Sequence, residues 1–159
     1  TNPTETKSDI DSITEVVKPL LCHAAWNVKL GVGSFITMNF GNPVLAGNRK
    51  TYGEWYLWIY CCGWYLEIPD RVFFGSEDSR EILKQEITVL EGKRLVEVEI
   101  SPVAFETKFV FEGSHVLHTF PLHFIDSCEY WKLFTPEKKV LSLGPAGKWS
   151  YRSSSENSP

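Results

Sequence analysis

At 159 residues, 43% of them hydrophobic and 14% aromatic, the chain is long enough to bury a core without metal or disulfide staples and too apolar to be disordered. Its formal charge of −4, from 20 acidic and 16 basic residues, argues against non-specific nucleic-acid binding, which needs clustered Lys and Arg. No apolar run is long enough to span a bilayer, so no membrane partner is expected.

Residues 1–8 read as a flexible N-terminal tail; Thr1 to Asp9 lack the charged and apolar regions of a secretory signal. Ser8 or Asp9 can then cap a first helix, in which Ile10, Ile13, Val16, Val17, Leu20 and Leu21 form one apolar stripe. Pro19 sits in its last turn and should bend or stop it. Trp26 to Val32 and Ser34 to Phe40 alternate as two strands, and Gly41 to Gly53 reads as a polar connection.

Glu54 to Glu67 is the most aromatic stretch and reads as one long strand. Alternation puts Trp55, Leu57, Ile59, Cys61 and Tyr65 on one face and Tyr56, Trp58, Tyr60, Cys62, Trp64 and Leu66 on the other. A straight strand of this length would run about 46 Å, too long for the domain, so a bend is expected near Cys62-Gly63.

Beyond Pro69, Ser76 or Ser79 opens a second helix with Leu83, Ile87 and Leu90 on its inner face. The pattern then switches to period two over Leu95 to Ile100, Phe105 to Phe111 and Val116 to Phe120, a meander. Tyr130 to Arg152 reads as two or three more strands, with turns at Thr135-Pro136-Glu137-Lys138 and Gly144-Pro145-Ala146-Gly147. The predicted fold is α+β: one domain over residues 9–152, with a single twisted antiparallel sheet of about seven to nine strands and two helices, one N-terminal and one mid-chain. Residues 153–159 read as a disordered tail.

The candidate chemistry is sparse. Adjacent Cys61 and Cys62 point to opposite faces of a strand, so neither a redox pair nor half a metal site is expected. All four cysteines, Cys22, Cys61, Cys62 and Cys128, therefore read as reduced, in a cytoplasmic protein. His118 and His123, with Cys128, are the candidate metal ligands, and no metal or other cofactor is predicted. Glu97 and Glu99 lie on an outward strand face, where charged alternation is ordinary solvent exposure. Gly31-Val32-Gly33 lacks the third glycine of a dinucleotide fingerprint, and no phosphate loop, zinc-protease or serine-hydrolase motif occurs.

The sequence Gly53-Glu54-Trp55-x-Leu57-Trp58-Ile59-Tyr60-Cys61-Cys62-x-Trp64 is followed by Trp131-x-Leu133-x-Thr135-Pro136 and by Gly147-x-Trp149-x-Tyr151. This pattern resembles that of small uncharacterised bacterial proteins, some of them similar in style to immunity proteins that neutralise toxins. The resemblance implies a bacterial or phage setting and assigns no site residues.

Tyr56, Trp58, Tyr60 and Trp64 are the candidate binding residues, because Tyr and Trp offer an apolar body with a polar edge. The leading expectation is a non-catalytic binding protein of the immunity or defence type that holds a macromolecular partner through an aromatic and acidic surface. A small planar ligand such as a nucleotide in an aromatic pocket is the alternative. An enzyme or metalloprotein using Cys and His residues is the third.

Overall fold

The computed structural model describes residues 3–32, 34–69, 74, 75, 78–102, 104–122 and 129–153. Helix α1 (Pro3–Val17) starts before the expected Ser8 or Asp9 cap, on a proline whose fixed φ and missing N–H suit the first helical position. It ends as Pro19 predicts: the chain tightens into a 3₁₀ turn over Lys18–Leu20, then leaves through Cys22 at φ 77°.

Strand β1 (Ala25–Leu30) pairs antiparallel with β2 (Ile36–Leu45), and β2 pairs with β3 (Thr51–Ile59). The predicted loop from Gly41 to Gly53 is mostly strand, and only a turn around Ala46 to Lys50 is left of it. Gly41, at φ 79°, permits a bulge between Phe40 and Pro43, after which pairing resumes. Asn39 bridges the irregularity, its Oδ1 accepting the Gly53 N–H at 2.8 Å.

The aromatic run does not remain one strand. After β3 the chain breaks at Tyr60, Cys61 and Cys62 and re-enters as β4 (Gly63–Glu67) in a different sheet. The bend falls where the glycine predicted it. A Cβ on Gly63 would lie 2.3 Å from the Phe120 ring of the paired strand, so with that ring in place glycine is what lets the chain pass there.

Short strand β5 (Phe74–Gly75) and helix α2 (Arg80–Glu86) follow, the helix capped by Ser79 Oγ accepting the Ile82 N–H. A 3₁₀ turn over Ile87–Leu90 completes the apolar face of Leu83, Ile87 and Leu90, all buried. The meander comprises β6 (Leu95–Ile100), β7 (Thr107–Phe111) and β8 (His115–Phe120). Phe105 stays out of β7 because Ala104 and Phe105 both take φ 54°. Strands β9 (Trp131–Phe134), β10 (Lys139–Leu143) and β11 (Trp149–Ser153) close the described chain.

Two antiparallel sheets replace the single sheet expected: six strands in the order β1-β2-β3-β9-β10-β11, and five in the order β5-β4-β8-β7-β6. Splitting the aromatic run lets each half bury one face against the other sheet, which one flat sheet of the same strands could not do. The Trp131 and Phe109 rings meet edge to face across the core at 5.4 Å, joining the two inner faces. Residues 22–25 and 92–95 stitch the sheets together through bonds such as Cys22 N–H to Leu95 O (2.7 Å) and Ala25 N–H to Lys93 O (2.9 Å). Ile13 and Val17 of α1 and Leu83 of α2 join the same buried cluster. No helix among the described residues is long and apolar enough to cross a membrane.

Candidate functional site

Strand β3 is central in its sheet, between β2 and β9, and its alternation is strict. Trp55, Leu57 and Ile59 are buried in the core, while Tyr56, Trp58 and the adjoining Tyr60 face outward and are half-buried. The cross-strand register sets their neighbours: Asn39 and Phe134 flank Tyr56, and Thr37 and Lys132 flank Trp58. Lys29 lies one strand further out, opposite Thr37.

The rings form a connected array. Tyr56 and Tyr60 each meet Trp58 nearly at right angles, with centroids 6.0 and 6.2 Å away. Tyr52 extends the row beyond Tyr56, Phe35 closes on Tyr60 at 5.5 Å, and the Phe134 ring lies 5.1 Å from Trp58. The Tyr60 hydroxyl donates to Glu129 Oε2 at 2.7 Å, and Lys132 Nζ stands 5.9 Å from the centre of the Tyr60 ring.

Burial pushes the Tyr60 phenol well above its ordinary pKa, and the Glu129 carboxylate adds to the shift. Burial also raises Tyr56, against the smaller opposing pull of the Thr37 and Trp58 side chains. Both phenols are therefore hydrogen-bond donors at neutral pH. The indole Nε1 of Trp58 is buried from solvent and makes no hydrogen bond of sound geometry, although it lies near enough to the Tyr56 side chain to help hold that phenol down. So loose an interaction leaves the N–H only partly satisfied.

Two clefts of unlike chemistry flank Tyr56 and share it with Thr37. One, about 430 Å³, is walled by Phe35, Ile36, Trp58 and Tyr60 and is almost wholly apolar. The other, about 340 Å³, is lined by Asn27, Lys29, Asn39, Lys50, Thr51 and Tyr52, with two lysines and no carboxylate among the described residues.

Trp64 does not belong to this array. It sits in β4, 1% exposed, with its indole donating to Ser34 O at 2.8 Å. The break at residues 60–62 moves it to the other sheet and turns it inward, so the alternation counted through the break no longer applies. The same break reverses the cysteines. Cys62 is the buried one, its thiol donating to Tyr130 O at 3.4 Å and pushed up to about 12 by burial. Cys61 is only partly buried and is disulfide-bonded, whereas Cys22 and Cys62 are free thiols. The expectation of four reduced cysteines is corrected at Cys61, and with it goes the argument that placed the chain in the cytoplasm.

Of the candidate metal ligands, His118 pairs with Glu67 (Nε2 to Oε1, 3.1 Å) and stacks on Tyr65 with centroids 4.2 Å apart. His123 and Cys128 lie outside the described residues. No group of three or more metal-ligating side chains occurs among the described residues. Glu97 and Glu99 are exposed on β6. The acidic character expected of the binding surface is also absent from the clefts, whose charged lining is Lys29 and Lys50.

No protein-family model, curated protein or solved structure matches this chain.

Proposed function

We propose that this chain is a non-catalytic binding protein of the immunity or defence type that holds a macromolecular partner through the outer face of its six-stranded sheet. The observation that carries the reading is the half-exposed row of Tyr56 and Trp58 on a central strand and the adjoining Tyr60, bordered by the exposed ring of Phe35. Large rings fixed by β-sheet backbone supply contact area at low entropy cost, and such rings dominate protein interfaces. The Trp58 N–H, loosely placed beside Tyr56, adds a reason for the face to be covered, since a partner's carbonyl reached by a small rotation of the ring would satisfy it better.

The test is co-purification from a bacterial host with tagged wild-type chain and with Trp58→Ala. A stoichiometric partner that the wild type retains and Trp58→Ala loses supports the reading. A folded wild-type chain that captures no protein counts against it.

One observation favours a second reading, a small planar ligand. The apolar cleft of about 430 Å³ falls within the usual size of small-molecule sites. A metabolite that raises the melting temperature of the wild type and not of Trp58→Ala supports this alternative. The third reading, an enzyme or metalloprotein, rests on His118, His123 and a cysteine, and stoichiometric zinc or iron in the purified protein is the result that supports its metal form.

A further inference from the structure

We propose that the outer face docks an acidic segment of a partner protein, an apolar side chain seating in the aromatic cleft and neighbouring carboxylates in the lysine-lined cleft. This rests on the reading of the face as a macromolecular docking surface and names the chemistry of what docks.

The warrant is charge complementarity laid across a fixed spacing. The chain is acidic overall, yet Lys29 and Lys50 line one cleft with no carboxylate among the described residues of its lining. Register places Lys29, Thr37, Trp58 and Lys132 in one row across four strands. At about 4.8 Å per strand, the two lysine backbones stand about 14 Å apart, one on each side of the rings. Arg152 lies in the neighbouring row, opposite Val140, and is exposed. Two carboxylates of this face are already engaged, Glu54 by the Asn42 N–H and Glu129 by the Tyr60 hydroxyl. Both keep their charge, since a neutral donor does not cancel a carboxylate, and against these two stand four cations, Lys29, Lys50, Lys132 and Arg152.

Tyr56 and Thr37 are the shared wall between the halves, so an apolar anchor and an anion held a few ångströms apart fill both clefts at once. Residues i and i+2 of an extended segment, about 7 Å apart, have that spacing. A protein segment fits better than a lone phosphate, because an anion in the lysine-lined cleft would leave the adjoining apolar cleft empty, whereas a segment fills both. Both clefts also open along a sheet face, whereas small-ligand sites enclose most of their ligand.

The test uses a display library of random peptides, about twelve residues long, selected on the full chain. Parallel selections use the Lys29→Glu/Lys50→Glu double variant and Trp58→Ala. The lysines are exposed, so the double variant should fold, and circular dichroism confirms it. On the wild type, the expected winners place Asp or Glu next to Trp, Phe or Leu, and one synthesised winner should bind the double variant at least about tenfold more weakly. Raising the salt should weaken its binding to the wild type and hardly affect its binding to the double variant. Winners without acidic enrichment that still require Trp58 overturn this inference and leave the docking face standing. Winners that ignore Trp58 overturn both. AMP is tested alongside by amide chemical-shift changes, and shifts at Thr37, Tyr56 and Lys29 with no peptide selected would replace the protein partner with a small anionic ligand.

Discussion

The indole N–H of Trp131, on β9, donates to Thr107 Oγ1 on β7 at 3.1 Å, so one buried hydrogen bond ties the six-stranded sheet to the five-stranded one. Thr107 is itself satisfied, its hydroxyl donating to Phe105 O at 3.0 Å. Thr107→Val keeps the shape and removes both bonds, stranding the indole donor in the core. We expect a loss of about 1–3 kcal/mol, read as a lower urea midpoint with unchanged slope. Trp131→Phe removes the donor along with the bond and leaves a smaller ring, so its cost should be mainly that of the cavity.

Trp58→Phe should separate stability from binding. The substitution keeps an aromatic ring between Tyr56 and Tyr60 and deletes an N–H that makes no hydrogen bond of sound geometry. Its effect on stability should stay within about 1 kcal/mol in either direction, since relief of a poorly satisfied donor offsets lost ring contact. Affinity for a partner recovered with the wild type should nonetheless fall. A destabilisation of several kcal/mol would mean that the indole N–H is satisfied in the folded chain.

Gly63→Ala should be destabilising and rescuable. The added methyl meets the Phe120 ring at 2.3 and 2.5 Å, and a ring at a partly exposed site can be trimmed. We expect a cost of about 1–3 kcal/mol, with Gly63→Ala/Phe120→Leu less unstable than the two single effects added together. Gly53→Ala should not be rescued that way, because its methyl would lie 2.5 Å from the backbone oxygen of Phe40.

Alkaline pH should expose the buried thiol. In the folded chain burial raises Cys62 from 9.0 to about 12, so between those values the folded state holds a proton that the unfolded state releases. Stability is then fully present below about pH 9 and falls as pH rises toward 12, by up to about 4 kcal/mol from this group. Tyr56 and Tyr60, also raised, push in the same direction above pH 10. Cys62→Ala should be less stable than wild type at pH 7 and lose less between pH 9 and 12, as equilibrium unfolding at each pH would measure. An identical slope in the two proteins would show that the thiol is not what titrates.

Thiol counting tests the cysteine chemistry. Denatured without reductant, the chain should show the two thiols of Cys22 and Cys62, and after reduction all four of its cysteines. In the native state at pH 8 only the exposed Cys22 of that free pair should react quickly, since the Cys62 thiol is both buried and protonated. Four thiols without reductant would remove the bond at Cys61.

What the sequence determined by itself was local. Pro19 ended α1, Ser79 capped α2, and the period-two pattern from Leu95 to Phe120 located the meander, because caps and alternation depend on neighbours along the chain. It also marked Tyr56, Trp58 and Tyr60; the first two keep their outward face because they precede the break, and Tyr60 keeps it at the first residue of the break. Tertiary structure decided the rest. Whether Glu54 to Glu67 served one sheet or two depended on what packed against Gly63, and Phe120 is 57 residues away in sequence. That one bend sent Trp64 into the core and reversed Cys61 and Cys62. The lysines beside the rings were invisible for a related reason: Lys29 and Lys132 reach Trp58's row only through the register of four strands, which no single stretch of the chain records.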